Sequence, residues 1–369
     1  MKKIAALPIS LFAALALTAC GDDSSSGPDN TTPSSGIEQP SSSDALPGTS
    51  SGVNPDVPGS SADLLTSSSS TGPVGPSQVP SSGSVAPATE FTTEAVVVPD
   101  MGCTTEPAAF GNGVKVTCDG KLMGNIMEDD DTTPFDPNAA AYADLVGIQK
   151  IYPALDPTDK VAFIMRHAHR TSSTDVDGVL TGWGYLQGND VGKKLAGTDE
   201  IKYWHSEVPR TLQTCMAIAQ GRGQTELSHV ALKDLNGGWF EKDHSKIEEY
   251  NTTVPSSYEV ISRWAFNEYN DPSVNFNDGF YDLMERGAQF MNEIILAQVI
   301  PQSRVSVVIS HDQMLYPLVI YITNRQLDMR YHEDKSWLNF LAGVAVIVKA
   351  DGSVKYVPLK GLEIGRAHV

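Results

Sequence analysis

The chain has 369 residues, with 45 acidic and 26 basic side chains, and a formal net charge of -19. This balance argues against a nucleic-acid-binding surface, because phosphate backbones are bound by clustered lysines and arginines. It does not exclude a locally basic anion pocket, since overall charge acts mainly on solubility and ligand steering. The composition changes along the chain and indicates a targeting segment, a linker, a small segment and one full-sized domain.

Residues 1–20 resemble a bacterial lipoprotein signal. Two lysines precede an apolar run over residues 4–17 that is too short for a comfortable membrane span. Small residues lead into Cys20, so we predict that cleavage leaves Cys20 as a lipidated N-terminus. An ordinary secretory signal that happens to contain a cysteine is the alternative. No Asp follows Cys20 directly, which favours the outer membrane. The expected location is therefore the cell envelope, on its periplasmic or surface face.

Residues 21–90 are dominated by Ser, Pro, Gly and Thr, and we predict a disordered linker because such a segment cannot bury enough apolar area. Residues 91–130 are predicted to form a small β-rich segment of short strands. Export implies an oxidising compartment, in which Cys103 and Cys118 could form a disulfide across a short loop. A stapled spacer is favoured for this segment over a binding module. Cys215 is predicted to be a small buried apolar residue.

The main domain is predicted over residues 139–362, where apolar strand patterns alternate with helical ones. We predict strands at 160–165, 201–205, 305–309, 343–348 and 354–358, and helices at 180–195, 210–220, 280–299 and 315–323. This alternation indicates an α/β fold with helices on both faces of a sheet. Residues 363–369 resemble the translation of a sequencing-adapter string, and we predict that they are an assembly artefact.

Two of the predicted strands are each followed by a histidine. His167 follows residues 160–165, with Arg166 between them, and His311 follows residues 305–309, with a serine between them. Because ligands of open α/β sheets bind at the carboxyl ends of strands, we expect both imidazoles to lie at one crevice.

Arginines accompany these histidines. Arg166 and Arg170 flank His167, and Arg210 starts a predicted helix, whose N-terminus favours an anion. Guanidinium groups match the geometry of phosphate and can bind it through two parallel hydrogen bonds. Three arginines and two histidines together therefore predict a phosphate pocket.

Four segments resemble motifs of the histidine phosphatase (phosphoglycerate mutase-like) superfamily, in the family's order and spacing. They are residues 165–168 (MRHA), 180–188 (LTGWGYLQG), 206–221 (SEVPRTLQTCMAIAQG) and 307–312 (VVISHD). The resemblance implies a three-layer α/β sandwich with a mostly parallel central sheet. One departure is Ala168, which replaces the usual glycine, so its backbone must avoid a positive φ or tolerate strain.

The resemblance also implies roles. His167 would be the nucleophile and form a phosphohistidine. Arg166, Arg210 and His311 would hold the phosphoryl oxygens and stabilise charge in the transition state. Arg170 matches a second arginine found in the acid phosphatase and phytase-like members and would bind substrate. These positive groups imply that neither a metal nor another cofactor is needed.

Two carboxylates are candidates for the proton donor to the leaving group. One branch of the family uses an Asp directly after the second histidine, here Asp312. The other uses a carboxylate after the arginine helix, and the segment around Asp234 resembles it. Arg170 and Asp312 point to the first branch, while Asp234 and the short insertions point to the second. We favour Asp312.

The function predicted from sequence is hydrolysis of a small phosphorylated substrate through phosphohistidine in an envelope-anchored lipoprotein. One alternative is phosphoglycerate mutase-like phosphoryl transfer. Another is a non-catalytic surface protein that binds phosphorylated ligands, although binding alone would not require the nucleophile. The substrate itself is not indicated.

Overall fold

The computed structural model describes residues 89–109, 112–127, 133–137, 139, 144–171, 178–268 and 276–361. The predicted signal with Cys20, nearly all of the predicted linker and residues 363–369 lie outside the described residues. Within the described part of the chain, no helix is both long enough and apolar enough to cross a membrane.

The strands are β1 (Thr92–Ala95), β2 (Cys103–Pro107), β3 (Gly113–Cys118), β4 (Lys121–Met127), β5 (Val146–Gly147), β6 (Lys160–Arg166), β7 (Ile201–His205), β8 (Glu226–Ala231), β9 (Val305–Ser310), β10 (Gly343–Val348) and β11 (Val354–Lys360). The helices are α1 (Ile148–Ile151), α2 (Gly182–Lys194), α3 (Pro209–Gly221), α4 (His244–Asn251), α5 (Ser257–Phe266), α6 (Leu283–Gln289), α7 (Asp312–Ile322) and α8 (Tyr331–Asp334). A π-helical stretch, Phe290–Val299, continues α6.

Eight strands form the central sheet in the order β1-β8-β7-β9-β6-β10-β11-β5. The four strands at its centre, β8, β7, β9 and β6, are parallel to one another, and β10 runs antiparallel to β6. The prediction of an α/β fold with a mostly parallel central sheet is therefore confirmed.

Successive residues of β6 face opposite sides of the sheet, as strand geometry requires. Val161, Phe163 and Met165 join a core that includes residues of α2 and α3. Ala162 and Ile164 join a second core that includes residues of α5 and α7. Both faces of the sheet are thus covered by helices, which makes the three layers.

The segment before the main domain is divided between two sheets. β2, β3 and β4 form a small antiparallel sheet in which a disulfide joins Cys103 to Cys118. Asp119 and Gly120 turn the chain between β3 and β4 with positive φ angles of 49° and 74°, as a tight hairpin needs. β1, in contrast, pairs with β8 and belongs to the central sheet. The domain boundary predicted from sequence did not anticipate this, because the pairing joins residues more than a hundred positions apart.

Candidate active site

The parallel pairing of β6 with β9 brings the two predicted histidines together. The register places Arg166 opposite Ser310, so His167 and His311 leave the two strands side by side. The His167 amide donates to the carbonyl of Ser310 at 3.0 Å, which extends the pairing by one residue. The two imidazole rings then meet edge to face, with centroids 5.4 Å apart.

The His167 side chain is buried, and its contacts fix its tautomer. Nδ1 lies 2.8 Å from the carbonyl oxygen of Ala168, which can only accept, so Nδ1 carries the hydrogen. Nε2 is left with a lone pair. Burial, and after it the neighbouring His311, Arg166 and Arg210, hold the pKa of His167 well below its ordinary 6.5. The ring is therefore neutral near pH 7.

The turn after His167 accommodates alanine at position 168. Ala168 is fully buried and is not among the residues with positive φ. Its amide donates to Thr214 Oγ1 at 3.1 Å, and Thr214 itself donates to the carbonyl of Arg210 at 2.8 Å. The loop of His167 is thus tied to the first turn of α3.

His311 is a buried neutral imidazole that positions Arg210. Its Nδ1 accepts from Arg210 Nη2 at 3.2 Å, so Nε2 carries the hydrogen and donates to Ser206 Oγ at 2.9 Å. Burial, followed by the charge of Arg210, lowers the pKa of His311 to about 3. This corrects the expectation that His311 contributes positive charge in the ligand-free protein.

Arg166 is held in a fixed orientation from three sides. Its Nη1 donates to the carbonyl of Leu338 at 2.7 Å, and its Nη2 lies 2.8 Å from Asp312 Oδ2. The guanidinium stands over the ring of Phe340 at 4.2 Å from the centroid. Only Nε is buried without a hydrogen-bond partner among the described residues.

Arg210 has more unsatisfied donors than Arg166. It follows Pro209 in the first turn of α3, where free backbone amides and the helix dipole favour an anion. Its Nε and Nη1 are buried and have no partner in the described part of the chain. Burial and the nearby Arg170 lower the pKa of Arg210 to about 10, so it stays charged near pH 7.

The two candidate proton donors lie in different surroundings. Asp312 is buried, bonded to Arg166 and accepting from Trp337 Nε1 at 3.1 Å. Burial alone would raise the pKa of Asp312, but Arg166 and the Trp337 hydrogen bond bring the net change below the ordinary 3.8. Asp234 is half-buried, and its carboxylate makes no hydrogen bond or ion pair with any residue that the structure describes.

The segment of Asp234 reaches the site through its backbone. The carbonyl of Leu235, the next residue, accepts from Ser310 Oγ at 2.8 Å. A Cβ placed on Gly237 would lie 3.9 Å from Cβ of His311. Asp234 thus belongs to a turn that contacts the strand end of the second histidine.

Sequence reasoning missed several residues of the site. Ser206, which accepts a hydrogen bond from His311, is the first residue of the motif at 206–221. Its place in that motif could have identified it as a site residue. Trp337 and Phe340, which hold Asp312 and Arg166, come from a loop without any motif. His169, the second residue after the nucleophile, is half-buried, and its ring contacts Trp183 and Phe340 at centroid distances of 4.7 and 5.3 Å.

Comparison with known proteins bears on this geometry. Residues 162–336 match the family model of the histidine phosphatase superfamily, branch 1. The matched residues include both histidines, all three arginines and both candidate carboxylates. No curated protein matches the chain in sequence.

Solved structures resemble about half of the chain. A phosphoglycerate mutase from Bacillus anthracis is 15% identical, with 55% of this chain and 92% of that chain covered and a TM-score of 0.37. A putative α-ribazole-5′-P phosphatase from Escherichia coli is 19% identical, with 56% and 98% covered and a TM-score of 0.35. A mycobacterial glucosyl-3-phosphoglycerate phosphatase is 12% identical, with 55% and 100% covered and a TM-score of 0.35.

Because the pKa values of four histidines are lowered in the native protein, we predict that mild acidification reduces its stability. The pKa values of His311, His169 and His205 are lowered to about 3, 4 and 4, mainly by burial, and that of His167 is also lowered. Between pH 7 and 5.5 the unfolded chain binds protons on these residues and the native chain does not. The free energy of unfolding therefore decreases as the pH is lowered, by at most about 1.4 kcal/mol per histidine per pH unit.

Urea denaturation at pH 7 and at pH 5.5, at constant ionic strength, measures this loss. The variant His205→Gln lacks one of the four groups and should show a smaller difference between the two pH values. An unfolding free energy that does not change between pH 7 and 5.5 would contradict the prediction.

Proposed function

We propose that the chain is a phosphatase that hydrolyses phosphomonoesters through a phosphohistidine on His167. The observation that carries this proposal is the state of His167, which is neutral, has a free lone pair on Nε2 and is surrounded by positive charge. A neutral imidazole nitrogen with a free lone pair is a competent nucleophile.

Two displacements at phosphorus follow from this arrangement. In the first, Nε2 of His167 forms a bond to phosphorus while the bond to the leaving oxygen breaks, and an acid protonates that oxygen. In the second, water attacks phosphorus and gives a proton to the conjugate base of that acid, the P–N bond breaks, and His167 returns to its neutral state. The unsatisfied donors of Arg166 and Arg210 would bind the phosphoryl oxygens as charge develops.

The contacts at the site favour Asp234 over Asp312 as the acid, contrary to the preference from sequence. A proton donor must hold a proton, whereas Asp312 is stabilised as a carboxylate by Arg166 and Trp337. Asp312 would instead orient Arg166. Asp234 has a carboxylate without such partners, on a turn beside His311.

Phosphohistidine formation is the direct test. Wild-type protein should hydrolyse p-nitrophenyl phosphate, and a quench in base should reveal a base-stable phosphoryl group on His167 by mass spectrometry. His167→Ala should lower kcat/KM by at least about 10³-fold because the nucleophile is lost. The matched control is the exposed His244→Ala, which should keep full activity.

Other outcomes would redirect the proposal. Phosphate binding without hydrolysis at any pH would favour a non-catalytic binding protein. Transfer to an added phosphorylated acceptor in preference to water would favour a mutase.

The choice of acid is tested by leaving-group dependence. Asp234→Asn should slow an alkyl phosphate by about 10²-fold or more and p-nitrophenyl phosphate far less, because only a poor leaving group needs the proton. Asp312→Asn should slow both substrates to a similar extent, because it disturbs Arg166. The opposite pattern would assign the acid to Asp312.

We also propose that the enzyme is anchored to the cell envelope by lipid on Cys20. The support is the order of basic start, apolar run, small residues and Cys20 in the sequence. Metabolic labelling with a fatty-acid analogue should label wild-type protein and leave Cys20→Ser unlabelled. Wild-type protein that takes up no label and stays in the soluble fraction would refute the anchor.

A further inference from the structure

The disulfide of the small sheet lies directly on the first turn of α2. A Cβ placed on Gly182, the first residue of that helix, would stand 2.2 Å from Cys103 Sγ and 3.0 Å from Cys118 Sγ. Real Cβ atoms do not approach so closely, so the glycine lets the disulfide pack against the helix. The small sheet, β2 to β4, precedes the residues that match the family model.

The same sheet also contacts Trp183, the next residue of α2. A Cβ on Gly124 of β4 would lie 2.8 Å from the Trp183 ring, which shows how closely strand and ring are packed. The Trp183 ring also contacts the imidazole of His169, with centroids 4.7 Å apart. Trp183 therefore lies between the small sheet and the active-site loop.

His169 is fixed by several further contacts with α2. Its Nδ1 lies 2.8 Å from Thr181 Oγ1, and the Thr181 amide donates to its carbonyl at 3.1 Å. Its own amide donates to Gln187 Oε1 at 2.9 Å. Because His169 stands between His167 and Arg170 in the chain, the position of α2 determines where the loop holds both of them.

A second path runs through Phe340. Its ring lies 5.3 Å from that of His169 and 5.8 Å from that of His167, and it supports the guanidinium of Arg166. A displaced His169 would therefore disturb the packing around His167, while Arg166 keeps its bonds to Leu338 and Asp312. Protein interiors are close-packed, so such a shift is transmitted to the neighbouring rings.

We propose that the small sheet, closed by its disulfide, supports the loop that carries His167. Trp183 and His169 are the positioning residues through which the sheet fixes the position of His167. This inference rests on the proposed phosphatase function. Reduction by a small dithiol breaks the S–S bond, leaves two cysteine thiols and oxidises the dithiol to its disulfide. Without the disulfide the small sheet holds this loop less firmly, so turnover falls and the activity becomes redox-sensitive.

The expected effect is on kcat more than on KM. Arg210 is held by α3 and Arg166 by the end of β6, so binding of the phosphoryl group is largely kept. The nucleophile, in contrast, loses its alignment, and misplacements of about 1 Å can cost ~10²-fold in rate. We expect kcat to fall at least tenfold in the reduced protein, with KM changed less than threefold.

The test uses the full-length protein, in its oxidised and reduced forms, and variants. Cys103→Ser/Cys118→Ser should reproduce the reduced form and no longer respond to dithiol. Trp183→Ala should lower kcat in the same way, and Trp183→Phe should recover part of it. Leu122→Ala is the matched control, because this side chain of β4 is 57% exposed and should leave activity unchanged.

Amide hydrogen exchange of residues 167–171 gives a second readout that does not depend on catalysis. The disulfide-free and Trp183→Ala proteins should exchange faster there than wild type, while β7 and β9 stay protected. An inactive wild-type protein would refute the proposed function. The exchange measurement would still test whether the small sheet supports residues 167–171. Unchanged kcat and unchanged exchange in proteins with intact β7 and β9 would overturn the inference, as would global loss of protection in every variant.

Discussion

β6 and β9 run parallel at the centre of the sheet, buried on both faces, and end at the same edge with a histidine each. The register pairs residues 161–166 with residues 305–310, and every residue of these six pairs is buried. A slip of one residue would move each apolar side chain to the opposite face. The separation of the two imidazoles is thus determined by the central core of the domain and needs no flexible loop.

Burial at that edge has an electrostatic consequence. Histidines removed from water and placed near arginines stay neutral, while the arginines keep their charge at the cost of desolvation. Asp312 offsets part of that charge through Arg166, and Arg210 remains with unsatisfied donors. A chain with a net charge of -19 therefore contains a locally positive site. The surrounding negative charge would slow the approach of anions without changing the chemistry inside.

Much of this site could be predicted because its residues follow regular elements. Strand ends located both histidines, and a proline located the start of α3. The prediction failed where partners come from distant, irregular chain. Nothing near Asp312 in the sequence shows that Trp337 donates to its carboxylate, and this contact bears on which carboxylate can be the acid. Similarly, the exposure of His169 depends on Trp183 and Phe340, and the place of β1 depends on β8, none of which local periodicity can reveal.

The pairing of β1 with β8 has a consequence for how molecules of this protein meet one another. An uncovered edge strand presents free amides and carbonyls to which another chain can add. β1 covers β8 with only four residues, anchored by Phe91, whose ring packs edge-on against Trp204 at 5.1 Å. At the opposite edge stands β5, which is two residues long and offers little to pair with. β1 and Phe91 thus protect β8 from pairing with another chain, and a protein without them would expose β8 to association.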